Sequence, residues 1–163
     1  MMKQAGKVID TDAENHEEAL RQAIELLFYA YRDFTAEPDA ILAEYGFGRA
    51  HHRVIYFVGR NPGMTVSQLL DILNITKQSL ARVLRQLVNE GFIEQRQDEG
   101  DGRRRLLFLC PKGRKLESLL TTRQGRRIES AYGTAKPEEI KGFCKILRGI
   151  INEGDRGRVS GDT

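Results

Sequence analysis

Between Asn74 and Asn89 the chain carries Lys77, Gln78, Ser79, Arg82, Arg85 and Gln86 without one carboxylate. Such a set suits binding rather than bond-making. A guanidinium presents paired donors that match a phosphate or a guanine edge, and a carboxamide matches the donor–acceptor order of adenine. A helix that needed only solvation would mix both signs along its face. A second cluster follows at Asp98-Glu-Gly-Asp-Gly-Arg-Arg-Arg, where Asp101 precedes Arg103, Arg104 and Arg105. Its two glycines permit the positive φ of a hairpin turn, so the arginines project as a tip able to meet a DNA backbone or minor groove. A calcium loop is the competing reading of this acidic stretch. It fails because the alternating ligand pattern is absent and the twelfth position is Leu109 rather than Glu.

Catalytic and metal chemistry find no support. The sequence holds no nucleophile elbow, no phosphate loop ending in Lys-Ser/Thr and no His-Glu-x-x-His, so neither an enzyme nor a cofactor is expected. His51 and His52 are adjacent, which on a helix points them about 100° apart and spoils a shared metal site. Cys110 and Cys144 form neither a disulfide framework nor a Cys-x-x-Cys knuckle and read as small hydrophobes.

The elements that must position these residues follow from periodicity. Val66, Leu69, Leu70 and Leu73 stripe one helix capped by Thr65 or Ser67, with Asn74 suited to a left-handed stop. Thr76 caps the basic helix, whose buried stripe is Leu80, Val83, Leu84 and Leu87 and whose stop is Gly91. The segments from Phe92 and from Leu106 read as paired strands flanking the charged tip. Before this unit, Leu20, Ala23, Ile24, Leu27, Tyr31 and Phe34 stripe a long helix, Pro38 opens a short one ending near Gly46, and Phe47 to Val58 stripe a third. After it come a helix from about Lys112 to Ala131 and a last one bearing Ile140, Phe143, Cys144, Leu147, Ile150 and Ile151. The fold class expected is mainly α with a small β-hairpin wing. The divisions are a disordered tail over 1–12, N-terminal helices over 13–46, a winged helix-turn-helix over 47–111, C-terminal helices over 112–152 and a disordered tail over 153–163. The first and last helices carry apolar stripes that a twofold dimer would bury, and a dimer would hold two reading helices about one DNA turn apart.

At 163 residues with a net charge of +3 and a pI near 8.9 the chain is only mildly basic. The excess is local: the balance from Thr65 to Lys115 alone exceeds that of the whole chain, as expected of a protein that meets a polyanion on one face. No apolar run is long enough to span a membrane and the N-terminus has no signal-peptide core, so the expected location is the cytoplasm, with no membrane partner.

The segment from Thr65 to Gly113 resembles the winged helix-turn-helix of the multiple-antibiotic-resistance regulator (MarR) family of bacterial transcription factors. The likeness rests on Thr76-Lys77, the internal Arg82, Glu90-Gly91-Phe92-Ile93 before the wing, Asp101-Gly102-Arg103 in it, and Leu109-Cys110-Pro111-Lys112-Gly113 leaving it. It departs at Gly100, at Cys110 and in the order Arg85-Gln86. The resemblance implies a sequence-specific regulator, most often a repressor, that binds a pseudo-palindromic operator as a homodimer joined by its terminal helices. Thr76, Lys77, Gln78, Ser79, Arg82, Arg85, Gln86, Asp101, Arg103, Arg104 and Arg105 would then touch double-stranded DNA. It also implies an effector pocket where the dimer helices meet the winged unit. Tyr31, His51, Arg53 and Tyr56 are placed to line it, and a small aromatic acid is the effector class, its carboxylate meeting Arg53 or His51. The alternative function is a non-sequence-specific architectural or adaptor protein, separable by the salt stability of its preference for one site.

Overall fold

The computed structural model describes residues 11–159, with side chains from residue 13. Most of the expected tail at 1–12 therefore lies outside the described residues, as do residues 160–163 of the one expected at 153–163. Where they overlap, helix α1 already begins at Thr11, and a single turn, α7 (Glu153–Arg156), stands within the C-terminal stretch. That turn is held by the Arg156 side chain, which donates to the carbonyls of Ile151 and Gly149. The contacts divide the chain into two compact units, one ending at Gln124 and one starting at Gly125.

In the first unit, α1 (Thr11–Ala43) is continuous through Pro38. This corrects the expected separate helix. A proline inside a helix leaves the carbonyl four residues back without its donor. Here that carbonyl, Phe34 O, receives the Gln124 Nε2 amide at 3.5 Å, and the Pro38 ring is fully buried, so packing offsets the lost bond. α2 (Arg49–Arg60), α3 (Val66–Leu73) and α4 (Lys77–Asn89) follow, with a two-residue strand β1 (Met64–Thr65) between α2 and α3. β2 (Ile93–Gln97) and β3 (Arg105–Leu109) form the expected hairpin, with Ile93 opposite Leu109 and Gln97 opposite Arg105. β1 adds to its free side, Met64 opposite Leu107, so the sheet has three antiparallel strands in the order β1-β3-β2. Two residues are too few to show any alternation, which is why the sequence did not announce β1.

The core lies where α2, α3 and α4 meet the sheet and the start of α5 (Pro111–Tyr132). Leu80, Val83, Leu84 and Leu87 of α4 are all buried, against Val54, Ile55 and Val58 of α2 and Leu69 of α3. Phe92 is the pivot. Its ring meets Phe47 and Tyr45 edge-on at centroid distances of 5.0 and 5.7 Å, and Lys112 Nζ sits 4.3 Å over it while donating to Glu90 O at 3.0 Å. The Phe92 backbone is fixed too: its N–H donates to Leu87 O and its carbonyl accepts from Cys110 N–H, each at 2.9 Å. Gly113, in the first turn of α5, passes so close to that carbonyl that a methyl group would overlap the oxygen.

The second unit holds the end of α5, α6 (Pro137–Ile150) and α7. Lys136 N–H donates to Glu139 Oε2 at 2.7 Å to start α6, with Pro137 where the missing N–H does no harm. The rings of Tyr132 and Phe143 meet edge-on at 6.3 Å, while Phe143, Ile146 and Ile150 remain exposed. Cys144 is exposed as well, and Cys110 half-buried.

Gly113→Ala is expected to destabilise the fold by about 1–3 kcal/mol, because the added methyl must displace backbone rather than a flexible side chain. Thermal melting should show the midpoint fall by roughly 2–12 °C; an unchanged midpoint would mean α5 moves freely off Phe92.

Candidate nucleic-acid interface

Two threonines set the starts of the helices that carry the basic face. Thr65 Oγ1 accepts from Gln68 N–H at 3.2 Å while Gln68 Oε1 accepts from Thr65 N–H at 2.9 Å, a reciprocal cap on α3. Asn74 ends α3 in the left-handed conformation (φ 49°), and Thr76 Oγ1 then accepts from Ser79 N–H at 3.2 Å and donates to Ser79 Oγ at 2.9 Å. Each cap is a local decision of the sequence, and together they fix the angle at which α4 leaves the turn.

The rotation of α4 follows from its buried stripe. Gln78, Arg82 and Arg85 lie opposite that stripe and are exposed, with Thr76 and Lys77 exposed at the start. Among the described residues, no side-chain hydrogen bond or ion pair holds Lys77, Gln78, Arg82 or Arg85. Ser79 and Gln86 sit instead on one flank, half-buried. Gln86 does not face outward: its Oε1 lies 2.8 Å from His51 Nε2 on α2, and its Nε2 donates to Glu90 Oε1 at 3.0 Å. A carboxylate four residues on was the sequence signal for the second of these bonds; the first joins residues with no local relation.

At the wing, Asp98 and Asp101 are engaged in building the turn. Asp98 Oδ1 accepts from Gly100 N–H at 2.9 Å, and Asp101 Oδ1 accepts from Arg103 N–H at 3.0 Å. Asp101 Oδ2 stands 3.5 Å from Arg104 Nε, so it pairs with the side chain of Arg104 and holds Arg103 only by its backbone. Gln97 Nε2 braces the tip by donating to Gly102 O at 2.9 Å. Arg103, Arg104 and Arg105 are all exposed. Together with Thr65, Val66, Ser67 and Gln68 at the start of α3, they line a cleft of about 410 Å³. Backbone N–H groups at a helix start and three guanidiniums bias that cleft toward an anion.

The residues expected to line an effector pocket divide. Arg53 Nη2 donates to Tyr31 OH at 3.0 Å, and Arg49, which the sequence reading passed over, lies 5.4 Å over the Tyr31 ring while bonding Asp39 Oδ2 and Thr35 Oγ1. Tyr56 stacks edge-on with Phe57 at 5.2 Å. His51 is not with them; it packs flat on Phe47 at 4.7 Å and bonds Gln86. The neighbouring His52 has its pKa held below the usual histidine value chiefly by burial, with Asp39 and Glu117 opposing the shift. Among the described residues no group of three or more His, Cys, Asp or Glu is arranged to hold a metal ion, and no helix is long and apolar enough to cross a membrane.

Comparison with known proteins gives a consistent result. A family model described as MarR family matches residues 45–104. The HTH-type transcriptional regulator PetP of Rhodobacter capsulatus is 46% identical over 140 residues, spanning 86% of this chain and 84% of that protein. The transcriptional regulator HosA of Escherichia coli O157:H7 is 26% identical over 115 residues, or 71% of this chain and 80% of HosA. Among solved structures, Streptococcus pneumoniae FabT in complex with DNA superposes with a TM-score of 0.72 at 23% identity, over 80% of this chain and 94% of that one.

Proposed function

The chain belongs to the MarR family and is a transcriptional regulator of that type; from this premise we propose that it binds double-stranded DNA at a specific pseudo-palindromic site, as a homodimer, and represses from there. The observation that carries the reading is the exposed, unpaired row of Gln78, Arg82 and Arg85 opposite the buried stripe of α4. Donors with no partner of their own are free to bond base edges in a major groove. Lys77 and Thr76 stand at the helix start, where phosphate contacts set register, and Ser79 supplements them from the flank. Arg103 and Arg105 reach the backbone or minor groove from the wing, with Arg104 and Asp101 shaping the tip. Gln86 leaves the base-reading set, since both ends of its amide are engaged within the protein.

The dimer is supported by what each unit leaves uncovered. α1 exposes Leu20, Ile24, Leu26, Leu27 and Phe28, and α6 exposes Phe143, Ile146 and Ile150. Apolar faces of this extent mark association surfaces, and a second copy of the chain supplies the matching ones under twofold symmetry. Effector control would act at Tyr31 and Arg53, with Arg49 joining them and Tyr56 nearby on α2; His51 is withdrawn from that set. A ring flanked by guanidiniums suits a small aromatic carboxylate, which would release DNA only by favouring a spacing of the two reading helices that the operator does not fit.

On a site selected from random DNA, Arg82→Ala or Gln78→Ala is expected to weaken binding by about 1–3 kcal/mol and narrow the margin over non-specific DNA. Arg103→Ala should weaken all sequences alike and lower the salt slope by roughly one unit. If the unmodified protein prefers no sequence at moderate salt, binding is architectural and this reading fails. Ile150→Glu would place a charge on the proposed dimer surface, and sedimentation should then find monomer or aggregate; a folded dimer would show that α6 is covered some other way. Titration with a panel of aromatic acids should find a binder that lowers operator affinity by about 5–150-fold and that Arg53→Ala abolishes. A panel in which no compound alters operator affinity removes this class of effector.

A further inference from the structure

We propose that His51 is a positioning residue for base reading: it sets the register of α4 against α2 through Gln86, and so decides which base edges Gln78, Arg82 and Arg85 can reach. The inference rests on the DNA-reading role proposed above for α4. Its basis is a hydrogen-bond chain with one consistent direction. Gly48 N–H donates to His51 Nδ1 at 3.1 Å, so Nδ1 holds a lone pair and the ring proton of the neutral imidazole sits on Nε2. Nε2–H then donates to Gln86 Oε1 at 2.8 Å, leaving the Gln86 amide N–H to reach Glu90 Oε1 at 3.0 Å. Turning the amide over would set its NH2 against an N–H and its oxygen against a carboxylate, so both contacts exclude the flipped form.

The ring itself cannot swing. It is stacked on Phe47 at 4.7 Å and 10°, and Phe47 is wedged edge-on against the buried Phe92. The buried residues that α2 and α4 bring to the shared core are aliphatic: Val54, Ile55 and Val58 from α2, and Leu80, Val83, Leu84 and Leu87 from α4. Such contacts are strong but non-directional, so they hold the helices together without fixing how one is rotated or slid along the other. A hydrogen bond between half-buried groups has one good geometry, and a polar pair beside an apolar seam is a known means of fixing register. Because Gln86 lies one turn beyond Arg82 on α4, a shift there is carried to the reading face.

The test is a double-mutant cycle on His51 and Gln86, measuring the ratio of affinities for a selected operator and for random DNA, the salt slope, and thermal melting. His51→Ala and Gln86→Ala are each expected to reduce the affinity ratio by roughly fivefold or more, with the salt slope unchanged because the phosphate contacts remain. The double variant should lose no more than either single one. His51→Gln, which can still donate an amide N–H to Gln86, should recover most of the ratio, whereas a merely structural role would show as loss of melting temperature without loss of discrimination. If His51→Ala keeps the full ratio, or if the two losses add, the inference falls and Gln86 acts independently of His51. If the unmodified protein itself shows no preference, the failure lies in the DNA-reading role, and the inference falls with it.

Discussion

The close approach of Gly113 to the carbonyl of Phe92 governs the geometry of the winged unit. One oxygen accepts from Cys110, one ring receives Phe47, Tyr45 and the Lys112 ammonium, and one N–H ties back to the last turn of α4. The end of α4, the first strand of the wing and the first turn of α5 are thereby joined within a few residues. Lys112 also donates to the carbonyl of Glu90, where a cation at a helix C-terminus meets the negative end of its dipole. Moving α5 thus moves the end of α4 with it, without any intervening flexible segment.

Charge is divided between building and binding. Two carboxylates of the wing are occupied by backbone N–H groups, Asp98 with Gly100 and Asp101 with Arg103, and Glu90 at the end of α4 is occupied by Gln86. Arginines at the same places are left outside. An acid whose oxygens are spent on a turn leaves Arg103 and Arg105 with their donors free, while Arg104 alone stands within 3.5 Å of Asp101 Oδ2. Net charge for the whole chain is a poor guide to the potential at this one face, which is set by the charges nearest to it.

Much of the winged unit was legible because its decisions are local. Thr65 and Thr76 cap the helices that follow them, Asn74 takes the left-handed turn and Leu80 through Leu87 bury the expected stripe. What escaped reading depends on partners far away in the chain. Pro38 does not end α1: its ring is fully buried, and the carbonyl it orphans lies 3.5 Å from the Gln124 amide. Gln86 turns inward because His51, on another helix, offers it a proton. The same bond gives His51 a partner other than Tyr31 and Arg53, two residues whose own pairing bridges α1 and α2. Residue type predicted that these groups would bond; only the fold could say with whom.

The first long helix has a consequence for the life of the chain in a cell. Ile24, Leu26 and Phe28 are exposed at 67%, 70% and 63%; Ile24 and Phe28 share one face of α1, one turn apart, and Leu26 lies toward the other. A solitary subunit with such a segment displays what chaperones bind and proteases cut, and partially covered chains persist only as long as their cover stays on.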